Sequence, residues 1–243
     1  MIDKVKVGCC GFPVGRKKYY GEFNVVEIQQ TFYQPPSFKT LHKWRKEAPS
    51  GFEFAIKAWQ LITHPPSSPT YRRIREPLPL GKGDAYGFFR PTDEVFSAWE
   101  RIKEIARVLE AKIIVFQSPA SFRPLRVNEK NMREFFKKIK RENFILVWEP
   151  RGRWEKDKIL SLCEELDLVH CVDPFKNECL TQKKIFYFRL HGKDGYSYRY
   201  TEKDLLFLKD KILNLSPLPS YVMFNNTHMF QDAILFKNLL SFC

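Results

Sequence analysis

Eight short apolar runs, each rich in Val, Ile, Phe or Tyr and bounded by turn residues, are spaced along this chain and read as strands: Val5–Gly8, Val25–Gln29, Phe52–Lys57, Lys112–Gln117, Phe144–Glu149, Leu168–Val172, Ile185–His191 and Tyr221–Asn225. Between or after them lie stretches with helical periodicity, best seen at Ser37–Ala48, Thr92–Leu109, Asn128–Ile139, Lys156–Leu166, Thr201–Asn214 and Thr227–Leu240. Strands that alternate with helices form a parallel sheet with crossover helices. Gly8, Gly11 and Gly15 do not fit G-x-G-x-x-G, so a dinucleotide site after the first strand is not expected. Eight repeats without such a fingerprint favour a closed α/β barrel of the (β/α)8 kind over an open sheet. The 243 residues suit one such barrel, and no linker, long repeat or low-complexity tract divides residues 1–243.

Local chemistry supports these elements. Thr92, Asn128 and Thr201 stand as N-caps before acidic residues. A chain this long can hide roughly three quarters of its unfolded surface, and 22 Phe, 10 Tyr and 5 Trp supply the bulk. The longest irregular stretch, His64 to Arg90, carries Pro65, Pro66, Pro69, Pro77 and Pro79 and follows the third strand, where a functional loop would sit. The six cysteines contain no C-x-x-C pair, and seven-residue gaps match no common zinc module. Neither a secretory leader nor an apolar run of ~18 residues is visible. Reduced thiols in a cytoplasmic protein with no membrane partner are therefore expected.

Side chains alternate along a strand, so parity separates barrel interior from helix layer. One series is apolar, as in Phe186, Phe188 and Leu190, or Val222 and Phe224, and should face the helices. The other series ends at the C-terminal tip in a polar residue: Glu27, Lys57, Gln117, Glu149, Arg189, His191 and Asn225. A barrel gathers such tips into one ring, the place where barrel enzymes keep their reacting groups.

The formal charge is +13, from 41 Lys and Arg against 28 Asp and Glu. A Lys-rich surface without any anionic partner would give the same sum, so position matters more. Arg16, Lys17 and Lys18 follow the first strand, Arg72, Arg73 and Arg75 the third, Arg123 and Arg126 the fourth, Arg151 and Arg153 the fifth, and Lys193 and Arg199 the seventh. Aimed at the mouth, they favour an anionic small molecule or nucleic acid as partner. Tyr19, Tyr20, Tyr71, Tyr196 and Tyr198 are placed to stack bases beside that charge.

Segments spread over nearly the whole chain resemble the domain-of-unknown-function 72 family, also called YecE-like. They are Gly8-Cys9-Cys10-Gly11-Phe12, Val26 to Tyr33, Phe54-Ala55-Ile56-Lys57 with Ile62-Thr63-His64, Phe116 to Phe122, Glu149-Pro150-Arg151 with Trp154, Phe188 to Gly192, and Phe224-Asn225-Asn226-Thr227. The resemblance implies a TIM barrel and no particular reaction. Gln29 departs from it, since the family usually shows Asn there. The family's barrel is similar in shape to endonuclease IV-like metalloenzymes and sugar isomerases, a likeness of fold alone.

Two chemistries compete. His64, Glu149, His170, Asp173 and His191 could ligate a metal, but no H-E-x-x-H or H-x-H occurs and Lys57, Arg151 and Arg189 would repel a dication. Acid/base chemistry without metal or cofactor fits better. Glu27, Lys57, Glu149 and His191 then carry the catalysis, while Tyr33, His64, Gln117, Arg151, Arg189, Tyr198 and Asn225 bind substrate. The enzyme class expected is a hydrolase or lyase acting on a phosphate-bearing substrate. The alternatives are a nucleic-acid-binding protein without catalysis, an endonuclease IV-like metal-dependent phosphodiesterase, and a structural ion-pair ring that merely closes the barrel.

Overall fold

Each of the eight runs forms a strand, and the strands close on themselves in chain order as a parallel barrel. The computed structural model describes residues 4–75, 78–79, 81, 83–215 and 217–241; Pro77 and Cys243 lie outside them. The strands are β1 Val5–Cys10, β2 Val25–Ile28, β3 Glu53–Lys57, β4 Ile113–Ser118, β5 Ile145–Pro150, β6 Val169–Val172, β7 Phe186–Leu190 and β8 Ser220–Phe224. Closure is made by β1 on β8, with Val5 opposite Ser220 and Cys9 opposite Phe224. Most ends fall within a residue of the sequence boundaries, but β1 runs two residues further than expected. Gly8 looks like a terminator in sequence. In the barrel it permits a close approach, because a Cβ there would lie 2.4 Å from the Val25 carbonyl oxygen.

The helices are α1 Arg16–Glu22, α2 Gln30–Tyr33, α3 Phe38–Glu47, α4 Gln60–Thr63, α5 Asp93–Leu109, α6 Arg126–Lys138, α7 Lys156–Glu165, α8 Glu202–Leu213 and α9 Met229–Ser241. Six match the periodic stretches; α1, α2 and α4 are too short to show a period. Thr92 and Thr201 cap α5 and α8, the latter through a reciprocal box with Asp204. Asn128 does not cap: α6 begins at Arg126 after Leu125, and Asn128 donates instead to the Arg123 carbonyl. Arg16, Lys17 and Lys18 likewise belong to a helix rather than a loop, and Arg16 is paired with Glu47.

The parity assignment holds. Val25, Ala55, Val115, Val147, Cys171, Tyr187 and Met223 pack together inside the barrel. Phe188 and Phe224, on the opposite parity, join the larger core beneath the helices. Each such side chain contributes about 1.5–3 kcal/mol on burial, so the two apolar layers hold the strand tips rigidly. The irregular stretch after α4 is anchored at its far end, where Phe89 is buried and Gly87 and Phe89 donate to the carbonyls of Leu61 and Ile62.

Candidate active site at the barrel mouth

The interior series ends in charge, and those charges meet. Arg189 extends from β7 across the barrel; its Nη2 lies 3.0 Å from Glu27 Oε1 on β2, and its Nη1 donates to Glu149 Oε2 on β5. Arg189 and Glu27 have no exposed surface at all. Tyr187 donates its hydroxyl to Glu27 Oε2 at 2.8 Å, and Gln29 donates its amide to Glu27 Oε1 while accepting from Arg189 at 3.3 Å. Glu149 is the hub. Its Oε1 accepts from Arg151 at 3.0 Å and meets His191 Nε2 at 2.9 Å, and its Oε2 also accepts from Gln117 at 2.9 Å. Asn225 Nδ2 lies 3.1 Å from His191 Nδ1, which places the imidazole proton on Nε2, toward Glu149.

Lys57 sits at the edge of this network. Its Nζ donates to Gln117 Oε1 at 2.9 Å and rests 3.7 Å from the centre of the Phe32 ring. Among the described residues no carboxylate lies within ion-pair distance of it. Burial, and after it the charge of Arg189, brings Lys57 from its ordinary 10.5 down to about 7, with Glu149 and Glu27 offsetting only part. Burial would raise Glu149, but Arg189, His191 and Arg151 outweigh it and hold the carboxyl well below its usual range. Arg189 is opposed by burial yet held above its ordinary value by Glu149 and Glu27. Burial also lowers His191, despite the favourable bond to Glu149, so the imidazole is poised neutral.

Of the residues singled out from sequence, Glu27, Lys57, Gln117, Glu149, Arg151, Arg189, His191 and Asn225 form one connected network. His64 is buried nearby, 2.8 Å from the Thr63 hydroxyl and edge-on to Phe32; burial and the charge of Lys57 lower it to about 3. Among the described residues Tyr33 makes no hydrogen bond to the ring, and it lies under the guanidinium of Arg73, 4.2 Å away. Tyr198 is turned aside, because its hydroxyl donates to Asp204 at 2.6 Å beside the α8 cap. Tyr19, expected on a basic rim, is fully buried and donates to the Val25 carbonyl. Lys193 is paired with Asp204.

Three contributors to the network escaped the sequence reading of the site. Parity alone could have found Tyr187 and Gln29, both on the interior series. Phe32 could not be found that way, since it reaches Lys57 from a four-residue helix. The sequence offers His170 and Asp173 only as candidate metal ligands. Among the described residues no three His, Cys, Asp or Glu side chains are grouped to hold a metal ion. Asp173 instead accepts the backbone N–H groups of Phe175 and His191.

The family described as "Protein of unknown function DUF72" matches residues 15–241. A DUF72 family protein from Thermotoga maritima MSB8 superposes with a TM-score of 0.74 at 20% identity, covering 98% of this chain and 99% of its own. A xylose isomerase domain containing protein from Salmonella typhimurium LT2 gives 0.61 at 12% identity, covering 99% of this chain and 96% of its own. Endonuclease IV from Thermus thermophilus gives 0.55 at 10% identity, covering 98% and 100% respectively. No curated protein matches the chain in sequence. At these identities the structures share a fold with it, and nothing narrower.

Proposed function

The chain belongs to the DUF72 family of proteins of unknown function, and from that premise we propose that it is a cytoplasmic barrel enzyme performing metal-free acid/base chemistry on an anionic, phosphate-bearing substrate. The observation that carries this reading is Lys57. Its ammonium is buried against an aromatic face, and among the described residues a neutral amide is its only hydrogen-bond acceptor. An amine that titrates near neutrality can give and take a proton, which an ordinary lysine cannot do at pH 7. Gln117 connects it to Glu149, and His191 on the other side of Glu149 supplies a second proton-transfer group. Arg151, with most of its guanidinium uncommitted, is the handle for the substrate's negative charge. A lyase or a hydrolase is the reaction class such a set serves.

A second reading rests on the likeness to endonuclease IV and on the exposed Arg123, Arg126, Arg151 and Arg153. It takes nucleic acid as the partner, with or without phosphodiester cleavage. Its cleavage arm would need a metal-ligand cluster, which the described residues do not form. Binding that weakens steeply with salt and survives Glu27→Gln and Glu149→Gln would favour it.

The test is a turnover screen over small phosphorylated compounds, run on the native protein beside Glu27→Gln, Lys57→Met and Glu149→Gln. Glu27→Gln keeps the side chain's shape, and Arg189 retains Glu149. We expect a melting change of a few degrees, as about 1 kcal/mol would give, with turnover abolished. Severe unfolding in Glu27→Gln and Glu149→Gln with ligand behaviour unchanged would make the ring a structural plug.

A further inference from the structure

Beside the ring, outside β5 and β6 and under the start of α7, lies a crevice of about 270 Å³. Its wall includes Arg151, Lys156, His170, Lys176 and Asn177. Cys171 packs inside the barrel, so His170 next to it on β6 points outward to this crevice. The Leu180 N–H donates to His170 Nδ1 at 3.3 Å, which places the ring proton on Nε2. His170 is 3% exposed, its Nε2 has no partner among the described residues, and that atom is not sealed from solvent. Burial lowers the imidazole to about 4, so at neutral pH it is a fixed neutral donor.

The other donors are built in as well. Arg151 commits only Nη1 to Glu149. Its loop is packed against the segment after β4: Trp154 donates to the Phe122 carbonyl at 2.8 Å, and a Cβ on Gly152 would lie 2.5 Å from that same oxygen. Glu155, preceding α7, makes no side-chain cap, so the first-turn N–H groups are not claimed by it. Lys176 has no ion pair among the described residues. The acidic groups of the same walls are already satisfied. Glu149 is held by Arg189, Arg151 and His191, Asp173 by two backbone N–H groups, and Glu178 by Lys156 at 3.2 Å.

We propose that this crevice binds the phosphate group of a small phosphorylated molecule, seated between His170 Nε2, Arg151, Lys176 and the N-terminus of α7. Donors converging from several directions suit a tetrahedral dianion better than a planar carboxylate. A water's share of liquid is about 30 Å³, so the space admits a phosphate and a few further atoms. Arg151 would then bridge crevice and ring, with the remainder of the molecule directed at Glu149; this last point rests on the functional reading above.

Calorimetric titration of the whole protein with inorganic phosphate and with glycerol phosphate, at constant ionic strength, tests the site without needing turnover. Saturable binding is expected, weakened about tenfold by Lys176→Ala and by His170→Phe, as loss of one charge-assisted or buried hydrogen bond would produce. Lys18→Ala, on the basic surface of α1, should leave it unchanged. Lys176→Ala alters only an exposed side chain, so it keeps the test valid if His170→Phe fails to fold. Absence of binding, or equal weakening by Lys18→Ala, overturns the proposal. Phosphate binding without turnover of any phosphate ester would leave the crevice standing and remove the catalytic reading; turnover without phosphate binding would do the reverse.

Discussion

The two ends of the barrel are closed by the same kinds of residue under opposite solvation. At the N-terminal end Lys6 pairs with Glu53, and Tyr221 donates to Glu53 at 2.7 Å. Those side chains remain about a third exposed, at 32% for Lys6 and 38% for Glu53, so water screens the pair and a cavity of about 330 Å³ opens beside it. At the C-terminal end Glu27, Arg189 and Glu149 are sealed, and each charge depends on its neighbours rather than on solvent. An exposed pair costs little and contributes little. A buried set costs several kcal/mol per ion in desolvation and must recover it through geometry. Closing a barrel does not require that expense, as the other end demonstrates. The difference teaches where this molecule tolerates poor energetics, and that is the end where barrel enzymes place their chemistry.

The contrast can be broken most directly at its centre. Arg189→Met would leave Glu27 and Glu149 buried with their shared cation gone, and we expect a loss of about 3–5 kcal/mol, read by chemical denaturation. A cost near that of a surface pair would mean that the mouth is far wetter than its burial implies.

Lys57 gives the next largest effect, and its sign is informative. Its pKa falls from 10.5 to about 7 on folding, so between those values the unfolded chain binds more protons and stability rises with pH. The contribution is fully present above about 10.5 and is lost as pH falls through 7, where the buried amine must carry charge. From pH 7 to pH 10 the gain should approach about 3 kcal/mol, and Lys57→Met should flatten that slope while raising stability at pH 7. Parallel pH–stability curves for the two proteins would show that Lys57 stays charged.

The smallest effect belongs to the other end. Glu53→Gln should change stability by less than about 1 kcal/mol, and by less still at high salt. A cost comparable with that of Arg189→Met would erase the distinction between the two ends.

Much of this was legible along the chain. Strand periodicity of two separates Phe188 from Arg189 and Phe224 from Asn225 without any structure, and the polar residues at the tips of those strands are the ones that meet in the network. The short helices were not legible, because four residues of α2 or α4 make barely one turn and carry no recurring apolar position. Nor was the fate of the basic residues. Arg16 and Lys193 look like free charge in sequence, but Glu47 and Asp204, brought close by packing, neutralise them.

The sequence by itself therefore determined which side chains enter the barrel and at which end the polar ones emerge, because both follow from alternation along each strand. Only the tertiary structure decided who meets whom. Tyr187 finds Glu27 across 160 positions of chain, and Arg189 finds Glu149 across 40; those encounters are set by barrel closure and strand register. It also decided what His170 meets: alternation already turns it away from the interior, but only packing puts a crevice beside α7 in front of it. Local pattern fixes the direction of a side chain, whereas its partner, and with it the charge it keeps, depends on what closure brings within a few ångströms.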